Sequence, residues 1–117
     1  MFMVALKSLL AASLFSVVTF ASAMVAAADP IWIDVRSAEE FQAGHLPGAV
    51  NIVHTEIGSK IAEVTQDKNA EIQLYCRSGR RSGLAEAELK KLGFTNVQNA
   101  GGYEALKAAQ DAAALKQ

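Results

Sequence analysis

The run Leu74-Tyr75-Cys76-Arg77-Ser78-Gly79-Arg80-Arg81-Ser82-Gly83 sets the chain's single cysteine between an apolar stretch, Ile72 to Tyr75, and a helix-like stretch, Leu84 to Leu92. A turn joining the C-terminal end of a strand to the start of a helix is where open α/β sheets hold their ligands. Backbone N–H groups converge there, and the helix dipole adds partial positive charge. A thiol so placed ionises more readily, because the field stabilises the thiolate and not the thiol. Arg77, Arg80 and Arg81 add a field that draws in a small anion. Cys76 is therefore the candidate nucleophile, and Arg77, Ser78, Gly79, Arg80 and Arg81 are the candidate anion cradle. At least one of the three guanidiniums is expected on the anion. Gly79 and Gly83 suit a turn with inward-pointing N–H groups, since glycine takes the needed dihedrals without strain. Ser78 and Ser82 could donate to a substrate, and helix capping is the favoured role for Ser82.

Other polar residues carry weaker signals. Asp34 and Arg36 close the first apolar run, Ile31 to Val35, and are expected to form a structural pair bracing neighbouring loops. His45 lies in a turn and reads as a hydrogen-bonded structural residue, His54 has no evident partner, and Trp32 is expected in the core. Neither histidine has a second ligand at metal spacing, so no metal site is expected.

Elements that would position Cys76 can be read along the chain. Ile31 to Val35 is a strand, and Ser37 with Glu40 forms a capping box opening a helix that Gly44 ends in a left-handed conformation. Gly44 to Gly48 turns into a short strand around Ala49 to Val53. Ile57, Ile61 and Val64 share one face of a helix over Thr55 to Val64, followed by a polar loop from Gln66 to Asn69. Glu71 to Tyr75 is the strand that ends at Cys76, and the next helix turns Ala85, Leu89 and Leu92 toward the sheet. Gly93 closes that helix, Asn96 to Asn99 is the last strand, and Gly101-Gly102 turns into a helix from Tyr103. Strands alternating with helices predict a parallel sheet covered on both faces.

Bulk properties narrow the function. Lys7 is the only charged residue before Asp29, Ser8 to Phe20 is apolar, and Ala21-Ser22-Ala23 and Ala26-Ala27-Ala28 fit a small-residue cleavage site. Residues 1–28 are read as a secretory signal peptide cut after Ala28 or Ala23, which places the protein in the periplasm. An uncleaved anchor is the alternative, since the uncharged run approaches the ~20 residues that span a bilayer. Removal leaves residues 29–117 as one small domain, with no stable membrane insertion. The chain's net charge of -1 offers nothing to nucleic acid. One cysteine cannot form a disulfide within the chain, and a lone thiol in an oxidising compartment is a liability unless it has work to do.

Three ordered motifs resemble the rhodanese-domain family. Asp34-Val35-Arg36, Glu40-Phe41 and Gly44-His45-Leu46-Pro47-Gly48-Ala49-Val50-Asn51-Ile52 look like its first motif. Tyr75 to Gly83 resembles its active-site loop, and Leu92-Gly93-Phe94, Val97 and Gly101-Gly102-Tyr103 are similar to its closing segment. Val53 departs from the pattern, where many members carry proline. The resemblance implies a rhodanese-like α/β fold, a five-stranded parallel sheet with helices on both faces. It implies a thiosulfate sulfurtransferase that moves sulfane sulfur to a thiophilic acceptor, cyanide or a thiol, through a persulfide on Cys76. No cofactor beyond that covalent intermediate is implied. Expected partners are thiosulfate and a small thiophilic acceptor or thiol protein, and a monomer is expected.

Thiosulfate is favoured over 3-mercaptopyruvate because several arginines suit a dianion better than a monocarboxylate. The alternative is a persulfide relay or binding module fed by a partner protein. A phosphatase or arsenate reductase is disfavoured, since those folds need arginine six positions after the cysteine, where this chain has Ser82, and histidine before it, where it has Tyr75.

Overall fold

A computed structural model of the chain describes residues 28–116. The signal-peptide segment falls outside the described residues except for Ala28, and no helix among the described residues is long and apolar enough to cross a membrane. Four parallel strands form one sheet in the order β2-β1-β3-β4: β1 Ile31–Asp34, β2 Val50–Asn51, β3 Ile72–Cys76 and β4 Val97–Gly102. These are the four strands read from the sequence; the fifth, implied by the resemblance alone, is not among the described residues.

Alternation along β1 and β3 builds two apolar layers. Ile33 and Val35 of the first strand region, with Ile72, Leu74 and Cys76 of β3, join Ile57, Ile61, Ala85 and Leu89 on one face. Tyr75 points the other way, into a smaller cluster with Leu46, Ala49, Trp32, Phe41, Tyr103 and Leu106. Helices α1 (Ala38–Ala43) and α4 (Tyr103–Ala114) therefore cover one face, and α2 (Ile57–Lys60) and α3 (Arg80–Lys91) the other. Because β2 and β3 lie on opposite sides of β1, the order reverses between β1 and β3, and the carboxyl ends of these strands flank the switch point.

Several elements follow the sequence closely. Ser37 accepts from the Glu40 N–H at 3.2 Å while its own N–H donates to Glu40 Oε1 at 3.0 Å, a complete capping box. Gly93 leaves α3 at φ +99°. Others differ. The single helix expected over Thr55 to Val64 is instead α2 flanked by 3₁₀ turns at His54–Glu56 and Ile61–Glu63. β-branched residues in the flanking turns and the lack of any side-chain cap explain the interruption, while Ile57 and Ile61 still reach the core. Gly44 ends α1 at φ +155°, ψ 136°, rather than left-handed α. Leu92 is 40 % exposed and not on the sheet face; α3 starts a turn earlier than expected, so Ser82, Ala85 and Leu89 are its buried residues.

Candidate active site

The β3–α3 turn is short because the helix begins at Arg80. Cys76 is the last residue of β3, Arg77 and Ser78 follow, and Gly79 is the N-cap residue at φ +96°. That left-handed conformation is open to glycine at little cost and folds the backbone back over the sulfur. The Gly79 N–H donates to Cys76 Sγ at 2.9 Å. Ser82, buried in the first turn of α3, places its hydroxyl 3.5 Å from the same sulfur. Gly79, not Ser82, occupies the N-cap position, and this corrects the capping role expected for Ser82.

Cys76 is 1 % exposed and packs with the core, as an inert buried thiol would. Its hydrogen bonds set it apart. Burial pushes the thiol pKa up, but the Ser82 hydroxyl and the backbone N–H groups of Ser82, Ser78 and Gly79 outweigh burial and leave it below the ordinary value. Donors aimed at one sulfur favour the thiolate, since only the anion gains from all of them.

Two features of β4 complete the turn, and neither was recognised in the sequence. Ala100 is an extra residue in the ladder, because Leu74 pairs with Asn99 and Tyr75 with Gly101. After this bulge Gly102 lies beside Cys76, and a Cβ on Gly102 would sit 2.6 Å from the Arg77 carbonyl oxygen. The glycine pair, read as a turn, is thus the bare strand surface on which the cysteine turn rests. Asn99 donates from Nδ2 to the Gly79 carbonyl at 2.8 Å, while Oδ1 accepts from the Gly101 N–H at 3.0 Å and the Ser82 hydroxyl at 2.6 Å. A polar residue two positions before a glycine pair was the available signal.

The arginines divide. Arg81 makes a two-pronged ion pair with Glu40 at 2.8 and 3.1 Å, tying α3 to α1. Its hydrogen bonds hold the Glu40 carboxyl near a pKa of about 2. Arg77 and Arg80 are exposed and make no ion pair among the described residues. Ser78 is exposed at the mouth of the turn. Arg36 is buried against Asp34, with contacts of 2.6 to 3.0 Å, donates to the Gly44 carbonyl at 2.6 Å, and lies 4.5 Å from the centre of the Tyr103 ring. The pair braces the loop after β1, as expected. Tyr75 accepts the Leu46 N–H at 3.0 Å, and its phenol is pushed up to about 12, chiefly by burial. His45 bonds the Phe41 carbonyl at 2.8 Å and stacks on the Phe41 ring, while the buried His54 Nδ1 has no partner among the described residues. A cavity of about 350 Å³ opens beside the turn, lined by Arg36, Glu40, Gly44, Arg77, Tyr103 and Glu104 among others.

Comparison with known proteins agrees with this geometry. The family model described as rhodanese-like domain matches residues 18–109. Thiosulfate sulfurtransferase PspE of Escherichia coli (strain K12) is 45 % identical over 73 residues, 62 % of this chain and 70 % of that protein. The putative sulfur carrier protein YrkF of Bacillus subtilis (strain 168) is 42 % identical over 67 residues, which cover 57 % of this chain and 35 % of that protein. The solved structure of a rhodanese with anions from E. coli aligns with a TM-score of 0.63 at 43 % identity, covering 65 % of this chain and 89 % of that one. The parallel sheet, the cysteine turn at its switch point and a family match over most of the chain agree, and the protein belongs to the rhodanese-like domain family.

Proposed function

We infer that the protein is a sulfurtransferase that takes sulfane sulfur from thiosulfate onto Cys76 and passes it to a thiophilic acceptor. The observation that carries this reading is the Gly79 N–H held 2.9 Å from Cys76 Sγ in a turn beside unpaired arginines. The thiol proton leaves to solvent, and the thiolate attacks the outer sulfur of thiosulfate. The sulfur–sulfur bond of thiosulfate breaks as the new one forms, and sulfite departs with the electron pair. A persulfide anion remains, for which the backbone donors of Ser78, Gly79 and Ser82 act as an oxyanion hole acts for oxygen. An acceptor thiolate or cyanide then removes the terminal sulfur and regenerates the thiolate. Two half-reactions through one covalent intermediate give ping-pong kinetics. No cofactor is required.

Arg77 and Arg80 supply the field that gathers the dianion, and the cavity beside Arg77 is the approach path. Arg81 acts through its charge, with its guanidinium committed to Glu40. That commitment also argues against phosphate chemistry, which needs a guanidinium inside the loop. A relay fed by a partner's persulfide is the second reading, favoured by the likeness to a putative sulfur carrier protein. We place the reaction in the periplasm on the leader-like pattern of residues 1–28.

The test is thiocyanate production from thiosulfate and cyanide by the chain from Asp29 onward. Activity abolished by Cys76→Ser is the expected result. Arg77→Ala should raise the thiosulfate KM about two- to fivefold, the worth of an exposed charge contact, with kcat little changed. No thiocyanate from the native protein would leave the relay as the better reading.

A further inference from the structure

The hydroxyl of Ser82 has one proton and three acceptors within reach: Asn99 Oδ1 at 2.6 Å, the Gly79 carbonyl at 3.2 Å and Cys76 Sγ at 3.5 Å. The side-chain amide of Asn99 cannot be turned over. Its Nδ2 faces the Gly79 carbonyl and its Oδ1 faces the Gly101 N–H, so the reverse orientation would set donor against donor and acceptor against acceptor. Oδ1 is therefore fixed toward Ser82, and the shortest of the three contacts takes the proton. The serine oxygen then offers Cys76 only its lone pairs, an arrangement that suits a thiol and not a thiolate. For the anion to gain the Ser82 hydrogen bond, the hydroxyl must rotate away from Asn99. That rotation leaves nothing orphaned, because Oδ1 keeps the Gly101 N–H and Asn99 is exposed to water.

We propose that Asn99 is a positioning residue that competes with the Cys76 sulfur for the Ser82 proton and so restrains formation of the nucleophile. The proposal rests on the reading of Cys76 as a thiolate nucleophile. The serine keeps its proton throughout; only its direction changes, while the thiol proton goes to solvent. Charged groups around the sulfur are constant in this comparison. Arg81 of α3 is held by Glu40 of α1, Arg77 and Arg80 stand exposed on the turn, and Asp34 at the end of β1 is paired with Arg36 just beyond it.

Ultraviolet thiolate absorbance of the full chain against pH reads the effect directly, with Cys76→Ser as the blank, because Cys76 is the only cysteine. Ser82→Ala should raise the midpoint by about one pH unit, the worth of a hydrogen bond to a charged group. Asn99→Leu, which fills the space without an acceptor, should lower it by about as much. In the Ser82→Ala background Asn99→Leu should change nothing, since its effect passes through the serine. Asn99→Ala, with water in the vacated space, should shift the midpoint the same way by less, and serves should leucine loosen β4. A midpoint that stays or rises without Asn99, or a fall that persists without Ser82, would overturn the proposal. Thiosulfate loading of the same samples separates the two readings: a cycle that closes without sulfur uptake sinks the sulfurtransferase alone, and uptake with a failed cycle sinks the role of Asn99 alone.

Discussion

Cys76 combines burial with donors, and the outcome depends on which is larger. Desolvation alone makes a core cysteine inert, whereas three backbone N–H groups, joined by the Ser82 hydroxyl when it turns from Asn99, tip the balance toward the thiolate. The turn geometry behind those donors depends on Gly102. Gly102→Ala forces a methyl group to 2.6 Å from the Arg77 carbonyl, so the turn must move. A loss of about 1–3 kcal/mol in stability and a raised Cys76 midpoint are the expected results of urea unfolding and thiolate titration. Gly48 gives the contrast, because its φ of +82° is strained for alanine but nothing lies within 4 Å of the added carbon. Gly48→Ala should cost about 1 kcal/mol and leave the thiol titration where it was. The cysteine, the glycines and the nearby arginines were legible as types in a pattern. Asn99 was not, because its role comes from a bulge in β4, and the one local signal, a polar residue just before a glycine pair, does not by itself announce a bulge.

Elements hold the turn by their ends. α3 begins with two arginines, which a helix N-terminus disfavours by about 0.3–1 kcal/mol each, and Glu40 of α1 offsets one of them through the pair with Arg81. Glu40 also closes the capping box, so one carboxylate links the start of α1 to the start of α3. Its pKa near 2, against an ordinary 4.5, sets the sign of the pH effect. A depressed carboxyl contributes stability that is complete above pH 4.5 and is lost as pH falls toward 2. Thermal melts should show the native protein losing about 1 kcal/mol, some 4–8 °C in Tm, between neutral pH and pH about 3. Glu40→Gln should start lower at neutral pH and lose less on acidification; an identical acid loss in both proteins would rule out this role for Glu40. The capping box was plain from Ser37 and Glu40, whereas the Glu40–Arg81 pair spans 41 positions and needs the fold to appear. The shortening of α2 was missed for a related reason: Ile57 and Ile61 carry helical periodicity, but the uncapped, β-branched flanks on either side of Ile57–Lys60 tighten into 3₁₀ turns.

At the scale of the molecule, two apolar layers fix the sheet so that the ends of β1 and β3 meet at the switch point. The strand–helix alternation, four strands and the two-sided cover followed from periodicity, whereas the order β2-β1-β3-β4 appears only in the structure. What periodicity misjudged was the register of α3, where Leu92 completes an apolar stripe yet stands 40 % exposed. Leu89→Ala should therefore destabilise the protein by about 2–5 kcal/mol, and Leu92→Ala by no more than about 0.5 kcal/mol, as read by urea unfolding; equal losses would contradict the observed register. All of this architecture converges on one sulfur atom, and the most direct measurement is the intact mass of the whole chain after thiosulfate. One added sulfur atom, mapped to Cys76, removed by cyanide and absent from Cys76→Ser, is the expected result. A native chain whose mass is unchanged by excess thiosulfate would contradict the sulfurtransferase reading.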